Sequence, residues 1–367
     1  MRSLITWQSI RWHINRTPLS RAIKFARRLP LQREIGTRRA LLAELPDTSV
    51  VKKHAGQLLD QGYSIITDVV DPVRMAALAE AGEAKLARAH AAPIRQDATH
   101  KDFWVRLLDE DKRGGMLSVD NPFVHFALQP EILAIVGHAF GELPRLDYVL
   151  LTLSKNANAE LNYSQLWHRD YDDTRVVKLF VYLTDVRDLA DGPFTFIPGP
   201  MSDRVGFRLR SHQSDSEIST AIPLSAAHAI EAPRLTAFMV DTARCLHMGS
   251  RVAQGHERLL YTATFISIPR LYPEPPPFFR LTGDESRLIE RVLAAFFFFF
   301  QKNFRLLSLA SWIARDHDLL FGSGICIVRL GSQEPDGCGH RRVLHIVFPD
   351  HPYGVVGLCR SVWSDPR

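Results

Sequence analysis

The hydrophobic pattern of the chain changes part-way along. Up to about residue 140 the apolar positions read as helices, and beyond it they read as short strands. A helix is predicted over 49–61. Gly62-Tyr63-Ser64-Ile65-Ile66 then reads as a short strand, because β-branched and aromatic residues follow a glycine. Asp71-Pro72 opens an Ala/Leu/Glu-rich helix over 72–90. Asp71 is its expected N-cap, and Pro72 takes the first helical position, where a missing N–H costs nothing. A further helix is predicted over 129–140. Strand-like runs follow at 147–154, 165–170, 176–184, 194–198, 236–240 and 258–267, separated by Gly, Pro and Asp. Helices first and strands later predict an α+β domain, mainly β with flanking helices, in which an antiparallel core carries a helical layer outside. After about residue 315 the pattern predicts neither a capped helix nor a clean hairpin.

Composition adds boundaries to this picture. At 367 residues, 46% hydrophobic and 23% charged, the chain is neither collagen, coiled coil nor globally disordered. The net charge of +5 is unevenly spread. Residues 1–44 carry ten Lys/Arg against two Glu, residues 45–295 net −5, and residues 296–367 net +2. The basic start interleaves Trp7, Ile10, Trp12, Ile14, Leu19, Ile23 and Phe25 with its arginines. It reads either as an amphipathic stretch for an anionic membrane or acidic partner, or as a helical extension packed on the domain. An acidic central region argues against a nucleic-acid partner. No apolar run has signal-peptide or transmembrane length. Cys245, Cys326, Cys338 and Cys359 form no CxxC pair, so neither a zinc knuckle nor a disulfide framework is indicated, and a cytoplasmic location is expected. Phe296–Phe300 is an uninterrupted phenylalanine run with a Gly-rich stretch beyond it. The tail reads either as sequence from a lost reading frame or as a native extension. Three regions follow: a basic extension over 1–44, a main domain over 45–294, and a tail over 295–367.

The chemistry is concentrated in the strand-rich region. His168-Arg169-Asp170 sets an imidazole and a carboxylate two residues apart, and in a strand such residues share a face. His247 follows the run Thr236–Asp241. Two His and one carboxylate from separate strands form the facial triad of non-haem Fe(II) oxygenases, leaving three positions for a co-substrate and O₂. Arg258 begins the run to Phe265 and would share an inward face with Leu260, Thr262 and Thr264. A buried guanidinium needs a partner, and a planar carboxylate suits it best. A dicarboxylic 2-oxo acid meets both demands. Arg251 is an alternative clamp, and His256 reads as a loop histidine. Gln165 and Trp167 flank the ligand pair and either border the co-substrate or are ordinary strand neighbours. Lys178 either reaches solvent or meets an anion. Asp172 and Asp173 read as solvated loop acids, and Cys245 as a small buried hydrophobe.

His168-x-Asp170, the distal His247 and Arg258 resemble the phytanoyl-CoA dioxygenase family of Fe(II)/2-oxoglutarate oxygenases. So do the segment from Lys178 to Asp185 and the Gly192-Pro193 and Pro198-Gly199 turns. The resemblance covers roughly 48–285 and departs at Pro200-Met201, where the family usually carries Ser-His. It implies a double-stranded β-helix (jelly-roll, cupin-like) core. It also implies iron on His168, Asp170 and His247, 2-oxoglutarate on Arg258, and O₂ as oxidant; Thr262, Gln165 and Trp167 are further co-substrate-side candidates from their strand positions alone. Hydroxylation of a small organic molecule, lipid or sugar-linked substrate would follow. The competing expectation is a non-catalytic β-helix protein that captures a ligand in the same cavity.

Overall fold

The computed structural model describes residues 17–91, 103–108, 116–156, 160–205, 211–271, 278–281 and 283–293, with the backbone of 327–333 and 341–347. Helices dominate the first part: α1 (Leu19–Arg28), α2 (Gln32–Leu42), α3 (Ser49–Gln61), α4 (Pro72–Ala91), α5 (Pro122–Ala127) and α6 (Pro130–Phe140). Short strands β1 (Tyr63–Ile65), β2 (Trp104–Arg106) and β3 (Leu117–Ser118) lie between them. The helix boundaries follow local chemistry. The Thr48 hydroxyl accepts the Val51 N–H at 3.2 Å to start α3, and Gly62 ends it in the left-handed region. The Asp71 carboxylate accepts the N–H groups of Val73 and Arg74 at 2.7 and 3.0 Å, as an N-cap should.

Strands then take over: β4 (Arg145–Lys155), β5 (Val176–Tyr182), β6 (Thr195–Phe196), β7 (His228–Ala229), β8 (Ala237–Asp241), β9 (His247–Met248), β10 (Glu257–Ile266) and β11 (Phe279–Arg280). Short helices α7 (Gly199–Ser202) and α8 (Asp215–Ser219) interrupt them, and α9 (Arg287–Leu293) follows. Six strands form one antiparallel sheet in the order β1-β8-β5-β10-β4-β2, and three form a second in the order β7-β6-β9.

Alternation along the large sheet sorts its two faces. Leu179, Met239, Leu259, Tyr261 and Ala263 pack with Leu58, Leu78, Leu133 and other helical residues in the main core. Phe180, Tyr182, Phe238, Val240 and Leu260 turn the other way and pack with Phe194 and Phe196 around the small sheet. The small sheet therefore covers one face and the helices cover the other. A mixed molecule with a large antiparallel sheet is the observed class.

Three local expectations are corrected. The run 165–170 is not a continuous strand: Tyr163–Gln165 is a 3₁₀ turn, and only single bridges follow, Trp167 with Gln213 and His168 with His247. An Asn162–Gln165 capping box draws the backbone into the turn. The tail does contain paired strands, since β12 (Ile327–Gln333) and β13 (Arg341–Val347) run antiparallel. They belong to a second compact unit over 301–367. A glycine-rich composition concealed two segments whose partner is another backbone rather than a local signal. The Phe296–Phe300 run, on which the reading-frame expectation rests, lies outside the described residues.

The third correction concerns Asp173. It is buried, 3% exposed, and receives Lys24 of α1 at 2.7 Å. The same ammonium donates to the Ser267 carbonyl at 3.0 Å and to that of Pro269. Arg28 pairs with Glu142, with Nη1 to Oε1 at 3.0 Å. Ile35 and Leu41 of α2 are buried apolar residues. The basic helices of residues 19–42 are thus packed on the same unit as the sheets. An acid in a polar sequence context became an internal counter-ion because a helix 149 positions away in the chain folds over it.

Candidate metal centre

The ligand segment is fixed before any ligand chemistry begins. His168 and His247 exchange both backbone hydrogen bonds at 2.9 Å, and the Asp170 N–H donates to the Thr242 carbonyl at 2.9 Å. Arg169, between the two ligands, points the opposite way. Its guanidinium donates to the carbonyls of Arg244 at 2.8 Å, Val205 at 3.2 Å and Ser202. The segment is therefore tied on one side, and His168 and Asp170 turn together to the other.

One ligand atom from each of His168, Asp170 and His247 lies within 4.8 Å of the others. The imidazoles are pre-set for coordination. Nδ1 of His168 lies 2.9 Å from the Leu166 carbonyl, and Nδ1 of His247 lies 3.0 Å from that of Cys245. A carbonyl only accepts, so both protons sit on Nδ1 and both Nε2 lone pairs are left for a cation. Burial pushes His168 down to about 3, with His247 adding to the shift, and burial also lowers His247. Both rings are neutral at ordinary pH, the form that binds a metal. Burial alone would raise Asp170, but Lys178 foremost, then His247 and His168, hold it below the usual carboxylate range. Two neutral imidazoles and one anionic carboxylate on one face fit a divalent transition metal.

Arg258 is the second residue of β10 and is 2% exposed. Nη2 donates to the Ser250 hydroxyl at 2.9 Å, Nη1 donates to the Gly192 carbonyl, and Nε has no partner. Among the described residues no carboxylate pairs with this guanidinium. Burial lowers its pKa, with only the Tyr182 phenol acting against the shift. Its supports are specially shaped. Ser250 has φ 61, unusual for a non-glycine, and its hydroxyl also accepts from Ser154 at 3.0 Å. Gly192 has φ +66, and a Cβ there would stand 2.9 Å from the Val252 nitrogen. Only glycine lets that turn deliver its carbonyl to Arg258.

The remaining sequence candidates have defined places. Thr262 is buried and lies on the inward face of β10, opposite Phe180 and Leu150. Gln165 uses its amide locally, accepting the Asn162 N–H at 3.2 Å and donating to the Ser250 carbonyl at 3.0 Å. The Trp167 indole N–H donates to Asp215 at 2.7 Å. Arg251 pairs with the same carboxylate through two bonds of 2.8 and 2.9 Å. His256 is surface-facing and paired with Asp191 at 2.8 Å. Cys245 packs in the small-sheet core, with Sγ against the Gly62 carbonyl at 3.6 Å.

Sequence reasoning missed two participants. Ser250 had no motif to announce it, because its role depends on a strained backbone. His212 stacks on His168, with ring centroids 5.1 Å apart and planes 24° apart. It is carried by a segment that Trp167, Gln213, Asp215 and Arg251 fasten over the ligand residues. The sequence offers only His212 and His228 over 202–233 as a signal.

No curated protein matches the chain. Among solved structures, the non-haem α-ketoglutarate-dependent epimerase SnoN from nogalamycin biosynthesis is 18% identical. That likeness covers 68% of this chain and 96% of the other, at a TM-score of 0.44. EctD from S. alaskensis with bound Fe is 15% identical over 69% of this chain and 88% of its own, at 0.45. HygX from Streptomyces hygroscopicus with nickel and 2-oxoglutarate is 16% identical over 59% and 87%, at 0.41. The family model for phytanoyl-CoA dioxygenase matches residues 58–234, which hold His168 and Asp170 but stop short of His247 and Arg258. Over that stretch the chain is similar to the phytanoyl-CoA dioxygenase family.

Proposed function

We propose that the protein is a non-haem Fe(II)- and 2-oxoglutarate-dependent oxygenase built on a double-stranded β-helix core, hydroxylating a small organic, lipid or sugar-linked substrate. The observation that carries this is the pairing of a preset His168–Asp170–His247 face with a buried Arg258 that has no carboxylate partner among the described residues. A ferrous ion with 2-oxoglutarate and O₂ supplies the oxidising power for an unactivated C–H bond. His168, Asp170 and His247 hold the ion. Arg258 receives the distal carboxylate of the co-substrate as a planar, two-point partner. Ser250 and Gly192 orient that guanidinium, and Thr262 lines the same face. Gln165 and Trp167 border the co-substrate indirectly, by holding the Ser250 backbone and the Asp215–Arg251 pair. Phe194, stacked on the His247 ring at 5.4 Å, keeps water from one side of the centre.

The test needs no primary substrate. Anaerobic titration of the full chain with Fe(II) and 2-oxoglutarate should produce a visible metal-to-keto-acid charge-transfer band, lost when either is omitted. A protein that bound 2-oxoglutarate equally well without metal, with no band, would be a ligand-capture module instead.

A further inference from the structure

The metal-facing oxygen of Asp170 is already engaged. Lys178 Nζ lies 2.7 Å from Asp170 Oδ2, and both side chains are nearly buried, at 15% and 13% exposure. That oxygen is also the one facing the distal imidazole, 3.8 Å from His247 Nε2. Two ligands at right angles on one transition-metal ion stand about 3 Å apart, from bond lengths of about 2.1 Å. Oδ2 is therefore the oxygen a cation shared with His247 would take. Lys178 reaches it from β5, where it alternates with Phe180 and Tyr182 on the inward face. It is not a flexible surface lysine, because β5 is central in the sheet, bonded to both β8 and β10.

We infer that Lys178 is an intrinsic competitor for the metal, a positioning residue that makes tight loading of the divalent ion depend on an anionic co-ligand. The inference rests on the metal-centre reading above. Without metal, the ammonium neutralises Asp170 and keeps the carboxylate aimed at the imidazoles. When a divalent ion arrives, the ammonium either surrenders Oδ2 or shares it, and in both cases a positive charge stays beside the ion. In a water-poor site that repulsion is large. A dianionic co-substrate relieves it by supplying the missing negative charge. Linkage is reciprocal, so the same charge strengthens binding of the dianion once the ion is in place. A lysine that only organised the carboxylate would have the opposite signature, because its removal would weaken the metal site.

The experiment measures free Mn(II) by electron paramagnetic resonance during titration of the full apo chain, with and without 2-oxoglutarate. Lys178→Met should bind Mn(II) alone about tenfold or more tightly than the parent. The enhancement by 2-oxoglutarate should shrink by a similar factor. Lys178→Arg keeps the charge and should bind Mn(II) within about threefold of the parent. Circular dichroism reports whether each variant is folded. If folded Lys178→Met binds Mn(II) no more tightly than the parent, the inference is overturned. If that variant does not fold, Lys178→Gln gives the same comparison. Asp170→Asn and His247→Ala separate the two levels of argument. Parent-like Mn(II) binding by both would sink the metal-centre reading itself. Loss of binding by both, with no gain in Lys178→Met, would sink only the role of Lys178.

Discussion

Two cations on the inner face of the large sheet, Arg258 buried and Lys178 nearly so, have opposite surroundings. Lys178 is compensated inside the chain by Asp170 at 2.7 Å. Arg258 is held by a hydroxyl and a carbonyl, with no charged partner among the described residues. Desolvating a cation costs several kcal/mol, and an internal carboxylate offsets much of that while neutral dipoles offset less. Arg258 thus stores an unmet demand for an anion, and Lys178 does not. On the proposed reading, the difference separates a residue that would receive a ligand from one that would tune the metal site. By the same measure Arg251 would be the poorer clamp, since Asp215 satisfies it with two hydrogen bonds.

The contrast can be broken by substitution. The largest effect is expected from Asp170→Ala, which removes both a proposed metal ligand and the partner of Lys178. Metal-dependent 2-oxoglutarate consumption should fall by more than the roughly 10- to 100-fold that loss of an outer partner of a metal ligand costs. Succinate release at the parent rate would dissolve the comparison at its first member. Arg258→Gln should raise the 2-oxoglutarate concentration needed for half-saturation by about tenfold to a hundredfold, as expected for loss of a charged hydrogen-bonding partner. Arg251→Gln should change it by less than about threefold, because that guanidinium serves Asp215. A reversal of these two results would move the clamp to Arg251.

Lys24 and Asp173 provide a purely structural version of the Lys178 case. Lys24→Met leaves Asp173 buried without its cation and should lower stability by about 3 kcal/mol, read from chemical denaturation. An unchanged denaturation midpoint would show that compensation inside the chain is not what holds α1 down. The smallest effect concerns an acid on the other side of the ledger. Burial pushes Asp241 up to about 6, with the Arg244 backbone N–H and the Arg175 and Arg244 charges only partly opposing it. The folded state then keeps a proton that the unfolded state gives up. Stability is greatest below the unfolded value near 4, falls as pH rises through 6, and stays low above. Asp241→Asn should therefore raise the melting temperature at pH 7.5 and leave it nearly unchanged at pH 4. Equal gains at both values would remove the titration from the explanation.

The helices at 49–61 and 72–90 were legible because their ends carry local signals, the Asp71-Pro72 start and the Gly62 stop. The alternating faces of β5, β8 and β10 were legible for the same reason, since a period of two is a local property. His168 and Asp170 could be proposed as partners from two positions of separation. Asp173 was misread because its counter-ion comes from α1, and nothing near it in sequence says so. The pairing of β12 with β13 was missed because a strand is completed by another backbone. Ser250 was invisible because its value lies in a positive φ and a hydroxyl directed at a distant arginine.

The sequence by itself determined which groups are present: two imidazoles, a carboxylate, and cations spaced along inward-facing strands. It also determined the order of helices and strands that would hold them, because propensity and periodicity act over a few residues. Only the tertiary structure decided the charge pairing. Lys178 went to Asp170, Lys24 to Asp173, Arg251 to Asp215, and Arg258 to no carboxylate among the described residues. Electrostatic energy depends on distance and local dielectric, and neither is a property of neighbours in the chain.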